Sequence, residues 1–262
     1  MRERELRQMF ALEDTYWWFV GRRYLIKRLL RRHLPKRRPL HTADIGCGTG
    51  GLWSLLSPLG QAVGLDQAEA AIEYSRSRGW QRLVLGSADR LPFRNGVFDL
   101  ITALDVLEHV ADDKAALCEI SRVLRPDGLL LVTVPAYRFL WSEHDQALGH
   151  CRRYTARELR ARLLQAGLRP VQLSYAITLM FPLVLAYRLF RRLSTWRVAR
   201  VPQTALVALP APLNQLLVAS LRLEAALLTR LPLPVGVSVV AAARRNNGRQ
   251  SLTIAPPWRK MC

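Results

Sequence analysis

The sequence predicts an α/β fold, a doubly wound and mostly parallel seven-stranded sheet with a helical insertion before its last strand. Three observations predict it. Short apolar runs alternate with helical stretches from residue 42 to residue 175, the rhythm of βαβ units. The first such run ends in a glycine-dense loop, where a chain turns sharply from strand into helix. The run Leu129–Val134 is apolar throughout, as a strand buried on both faces must be.

Each element has its own signal. Thr42–Ile45 is the first strand and Leu52–Leu59 the helix after its loop. Ala62–Leu65 is the second strand, and the helix through Ala68–Arg78 follows it. Arg82–Leu85 and Phe98–Ala103 are the third and fourth strands, and Asp112–Val123 is a helix. Arg125-Pro126-Asp127-Gly128 has the composition of a turn,. A helix over Ala156–Gln165 carries Leu159, Leu163 and Leu164 on one face and ends at Gly167,. Leu168–Tyr175 and Gly236–Ala243 are the last two strands.

Half of the 262 residues are apolar, which excludes a disordered or collagen-like chain. The four cysteines form no CxxC pair, which argues against a zinc finger and for a reducing cytosol. The opening MRERELRQMF is charged and lacks a signal peptide's apolar centre. The uncharged run Val201–Leu221 is broken by Pro202, Pro210 and Pro212, so no transmembrane helix is expected. Charge is unevenly spread. Residues 1–41 carry net +8, 42–135 net −4 and 136–262 net +15, and basic flanks of this kind face polyanions or anionic membranes.

The densest motif is Asp44-Ile45-Gly46-Cys47-Gly48-Thr49-Gly50-Gly51. Its glycines let a ligand approach main-chain N–H groups. Gly46, Gly48 and Gly51 also satisfy GxGxxG, so dinucleotide binding stands beside other readings. Asp66 closes the second strand, where a carboxylate can take both hydroxyls of a ribose. Further on come Gly86-Ser87-Ala88-Asp89, Leu91-Pro92-Phe93, Asp105-Val106-Leu107-Glu108-His109-Val110 and Arg125-Pro126-Asp127-Gly128.

In this order, over residues 42–175, these blocks resemble the class I S-adenosylmethionine-dependent methyltransferases, specifically the small-molecule branch that includes the ubiquinone O-methyltransferases. The resemblance implies S-adenosyl-L-methionine as cofactor. Gly46, Gly48 and Gly50 would pass beneath its methionine and ribose portions, with Cys47 between them, and Asp44 would sit near its ammonium group. Asp66, with Gln67 beside it, would hold the ribose. Ala88 and Asp89 would meet adenine, and Leu104 and Asp105 would lie beside the methionine moiety.

Methyl transfer needs a base only if the acceptor must lose a proton. The candidates are Glu108 and His109 after the fourth strand, and His144 and His150 in the loop after the fifth. A helix-start role for Glu108-His109 and a hydrogen-bonded scaffold for the loop stand as alternatives. The spacing of His144, Asp145 and His150 matches no established ligand pattern, so no metal is expected. Arg152, Arg153 and Tyr154 suit an anionic or polyol acceptor. Trp17, Trp18 and Arg22 suit a lid that excludes water.

The chain accordingly divides into a basic, aromatic N-terminal lid (1–41), a cofactor-binding core (42–179), an apolar helical insertion (180–234) and a last strand with a tail (235–262). Within the insertion, Leu213–Arg230 reads as a helix with Leu216, Leu217, Leu221, Leu227 and Leu228 apolar and Arg222, Glu224 and Arg230 polar. Apolar helices edged by arginine suit a membrane surface. The expected acceptor is a small molecule, hydrophobic or lipid-linked. The expected location is the cytoplasm, peripheral to the inner face of the membrane. RNA methylation and a non-catalytic cofactor-binding module are the alternatives, and nucleic acid is disfavoured because no appended RNA-binding motif is present.

Overall fold

In a computed structural model, residues 3–35, 39–193 and 209–246 are described. Seven strands form one sheet: β1 (Leu40–Ile45), β2 (Gly60–Asp66), β3 (Leu83–Leu85), β4 (Phe98–Leu104), β5 (Leu124–Pro135), β6 (Leu168–Ala176) and β7 (Ser238–Arg245). Their order is β3-β2-β1-β4-β5-β7-β6. All ladders are parallel except those of β7, which runs antiparallel between β5 and β6. Every residue of β4 is buried, and Leu129, Leu130, Leu131 and Val132 of β5 have no exposed surface. Helices cover both faces of this centre, which explains the continuous apolar runs.

Two sequence expectations shift in detail. The expected turn at 125–128 lies inside β5. The ladder with β4 shifts register between Phe98 and Leu100, and Asp127 sits at φ 60°. An aspartate tolerates that left-handed conformation, so the strand bulges where a turn was expected. The helix after the glycine loop is one turn, α3 (Trp53–Leu56), continued by a 3₁₀ turn over Ser57–Leu59.

The N-terminal helices α1 (Glu3–Leu12) and α2 (Trp17–His33) lie against the sheet and the later helices. α4 (Glu69–Ser77), α5 (Asp113–Val123), α6 (Glu143–Leu148) and α7 (Ala156–Gln165) complete the core's connections. The insertion holds α8 (Phe181–Leu193) and α9 (Ala211–Leu228). Residues 194–208, the N-terminal part of the uncharged run, and the tail from 247 lie outside the described residues.

α9 packs on α2 at Gly21, where a Cβ would come within 2.2 Å of the Leu221 side chain. Glu224 is not on a polar outer face, as the helical pattern suggested. It is buried and accepts the backbone N–H groups of Ile177, Thr178 (2.8 Å) and Leu179 (3.3 Å). Those three donors follow the end of β6, so the carboxylate clamps the segment leading into the insertion to the insertion's second helix,.

Candidate functional site

The sheet reverses its winding between β1 and β4, and ligands bind outside the carboxyl ends of strands at such a point. A cavity of about 410 Å³ lies there. One end is walled by Asp44, Gly46, Cys47, Gly48, Asp66, Gln67, Ala88, Leu104 and Asp105. Trp17, Trp18 and Arg22 of α2 cover it. Glu108, His109, His144, His150 and Arg153 line the other end, with Leu140, Leu148, Ile177, Met180 and Val184.

The glycine-loop end is shaped by backbone. Gly46 has φ 69°, and a Cβ there would strike Val106 Cγ2 at 2.5 Å. Only glycine leaves both the turn and the space open. Asp66 fixes the loop, because Gly48 N donates to its Oδ2 (2.9 Å) and Ala68 N to its Oδ1 (3.0 Å). Each oxygen keeps a further lone pair for a hydroxyl in the cavity. Asp44 is buried and accepts from Thr102 Oγ1 at 2.6 Å. Burial pushes its carboxyl up to about 7,. Asp105, at φ 56°, ends β4 in the left-handed region. It is held there by Thr133 Oγ1 (2.9 Å) and Arg22 Nη1 (2.5 Å), and such strain gathers where side chains are aimed for function. These carboxylates, glycines and the buried Ala88 line one end of the cavity together.

The other end is organised by Asp145. Its fully buried carboxylate accepts from Ser142 N (2.8 Å), His150 Nδ1 (2.8 Å), Arg153 Nε (2.7 Å) and Arg153 Nη2 (3.0 Å). The loop is tied to β4's end by Cys151 N, which donates to the Glu108 carbonyl at 2.7 Å. Glu108 has no exposed surface and neither carboxylate oxygen has a hydrogen-bond partner. Burial, helped by Asp105's charge, pushes its pKa well above the ordinary carboxylate range. Burial lowers His109 and His144 to about 4, so both imidazoles are neutral at pH 7.

Four sequence-selected residues lie away from the cavity. Gly50 turns inward at φ 82° against Ser75 and Trp80, whose Nε1 donates to its carbonyl at 3.0 Å. Its missing Cβ leaves room for Ser75 and Trp80. Asp89 is exposed beside the buried Ala88. Arg152 pairs outside with Asp113 (3.0 Å) and the Ala111 carbonyl (2.6 Å). Tyr154 is buried and donates to Asp113 Oδ2 at 2.9 Å. The polar atoms of both are spent on a structural carboxylate. Sequence reading also missed Met9 and Glu13, which reach the glycine loop from the N-terminal segment. Glu13 is buried and accepts from Thr49 Oγ1. The i, i+3, i+4 spacing of Leu6, Met9, Phe10 and Glu13 is the signal that could have found them. Arg188 of α8 also lines the cavity; its buried Nε has no hydrogen-bond partner.

The family model described as a methyltransferase domain matches residues 43–132. A probable S-adenosylmethionine-dependent methyltransferase of Mycolicibacterium smegmatis is 30% identical over 162 residues, 60% of this chain and 61% of that protein. A malonyl-[acyl-carrier protein] O-methyltransferase of Legionella pneumophila is 35% identical over 121 residues, 44% of this chain and 41% of that protein. The chain therefore spans about half the length of such relatives. Among solved structures, the methyltransferase bound to the Trm112 activator of Haloferax volcanii superposes with a TM-score of 0.59 at 18% identity, over 92% of this chain and 94% of that one. The fold is thus the Rossmann-like one of these enzymes. Residues 43–132 carry a stretch similar to the methyltransferase domain, and S-adenosyl-L-methionine is the cofactor that such a domain takes.

Proposed function

We propose that the protein transfers a methyl group from S-adenosylmethionine to a small hydrophobic or lipid-linked acceptor at a membrane face. The observation that carries this reading is the cavity's second end, where Leu140, Leu148, Ile177, Met180 and Val184 make an apolar chamber next to Glu108, His109, His144 and His150. An extended apolar acceptor suits such walls, and its nucleophilic atom suits the polar corner.

In this reading Asp44 receives the cofactor's ammonium, Asp66 its ribose, and Ala88 its adenine. The bound cofactor supplies an electrophilic methyl on a sulfonium, so the chain's task is alignment and exclusion of water. Trp17 and Trp18 close the chamber from α2, and Arg22 locks that helix to Asp105. The insertion forms the opposite wall. α8 turns Val184 and Arg188 to the cavity and leaves Leu183, Tyr187 and Phe190 more than half exposed. On α9, Leu216 and Leu223 are exposed to a similar degree. Apolar faces of this size on a strongly basic chain suit the surface of an anionic bilayer. No described helix is long and apolar enough to cross a membrane.

Incubating the chain with methyl-labelled cofactor and separated lipid and aqueous extracts tests the proposal. Label should enter the lipid fraction, and label confined to RNA or to water-soluble products would overturn it. The chain should also float with anionic liposomes at low salt and be released as salt rises, since each basic residue near the surface contributes ~1 kcal/mol that salt screens. A chain that stays behind in low salt is not a surface enzyme.

Cofactor affinity should depend on pH through Asp44. Its carboxyl titrates at about 7, above the ordinary value, so the folded chain favours the protonated form below that pH. An ammonium partner needs the carboxylate. Affinity is therefore expected to rise from pH 6 to pH 7.5, and Asp44→Asn should flatten that rise. Calorimetry across this range measures it; an unchanged slope in Asp44→Asn places the ammonium elsewhere.

A further inference from the structure

We infer that Glu108, His109 and His150 form a binding site for a divalent transition-metal ion at the acceptor end of the cavity. The ligand atoms of these three side chains all lie within 4.8 Å of one another. Metal–nitrogen and metal–oxygen bonds near 2.1 Å put the ligand atoms of a tetrahedral ion about 3.4 Å apart, so side-chain shifts on the order of 1 Å close the set. The imidazoles of His109 and His150 meet edge to face with centroids 4.7 Å apart.

The surroundings point the same way. The inner residue, Glu108, is fully buried, and both its oxygens lack a hydrogen-bond partner. A buried polar group left without a partner costs several kcal/mol unless something absent from the protein's own atoms satisfies it. Each histidine is anchored through an outer contact. His150 Nδ1 donates to Asp145 at 2.8 Å, and that carboxylate is itself pinned by Arg153. His109 bonds the backbone of Gly149. Such contacts orient each ring and leave one nitrogen of each available to an ion, as outer-shell partners do for metal-bound histidines. Two imidazoles and one carboxylate suit zinc, cobalt, iron or nickel, not calcium or magnesium, which prefer all-oxygen sites.

Three protein ligands leave coordination positions open toward the cavity that Leu140, Leu148 and Val184 share. In the role that rests on the methyltransferase reading, an acceptor hydroxyl takes an open position and loses its proton to water. The resulting oxygen forms the new O–CH3 bond as the C–S bond breaks and its electron pair stays on sulfur. Metal binding itself does not depend on that reading.

The test uses the full, untagged chain stripped of metal. Calorimetry with Zn²⁺ should show one equivalent bound, and Co²⁺ should give a visible absorption band of a nitrogen-ligated ion. Glu108→Gln and His150→Ala should each weaken binding at least tenfold, while S-adenosylhomocysteine affinity, which reports folding, is unchanged. Glu108→Gln keeps the shape of the side chain, so it reads the site even if His150→Ala does not fold. Absence of stoichiometric binding by the unaltered chain, or equal affinity in Glu108→Gln, overturns the inference. Metal bound by a chain that methylates nothing would instead count against the proposed function alone.

Discussion

Asp66→Ala is expected to raise the dissociation constant for S-adenosylmethionine at least a hundredfold. The carboxylate ends β2 facing the cavity, and its oxygens already hold Gly48 N and Ala68 N. Two further charge-assisted hydrogen bonds to a ribose would contribute about 1.5–3 kcal/mol each, and 1.4 kcal/mol is tenfold in affinity. The substitution also releases Gly48 N, so the loop loses its anchor along with its ligand contact. Asp66→Asn separates the two effects, because its amide oxygen can still accept from one backbone N–H while the charge is gone. Calorimetry should rank the affinities wild type, then Asn, then Ala. An Asp66→Ala chain with unchanged affinity would show that the ribose lies elsewhere.

What could be read from sequence was whatever chemistry is local. The loop Asp44–Gly51 needs backbone freedom and close approach, and glycine is the residue that supplies both, so its place at the end of β1 was legible. β4 and β5 were legible because strands buried on both faces have no polar alternation to disguise them. Direction was not legible. Arg152 and Arg153 are neighbours of the same charge, yet one pairs with Asp113 away from the cavity and the other with Asp145 beside it. Only the fold decides which. Gly50 shows the same limit, because its glycine in a ligand-binding motif is used to admit Trp80. The wall made by Met180, Val184 and Arg188 comes from an insertion far along the chain. A one-dimensional pattern records that α8 is amphipathic but not that its less exposed face closes the cavity.

Arg153→Met is expected to destabilise the protein by about 3–5 kcal/mol, the cost of removing one partner from a buried ion pair. The guanidinium is buried, makes two hydrogen bonds to Asp145 and gives a third to the Ala136 carbonyl at 3.0 Å. Methionine can fill much of the volume but leaves the Asp145 charge with His150 and the backbone N–H and hydroxyl of Ser142. Equilibrium urea unfolding should show the loss, and thermal melting should shift by roughly 10 °C for a domain of this size. Arg152→Met supplies the contrast. Its partner Asp113 keeps the Tyr154 hydroxyl at 2.9 Å and Arg162 at 3.5 Å, and Arg152 itself is partly exposed, so a loss of about 1 kcal/mol or less is expected. Cofactor affinity should hold in both variants wherever they are folded, because neither arginine touches the glycine loop. If Arg153→Met were as mild as Arg152→Met, Asp145 could not be the hub that orients His150, and the polar corner of the cavity would need another organiser.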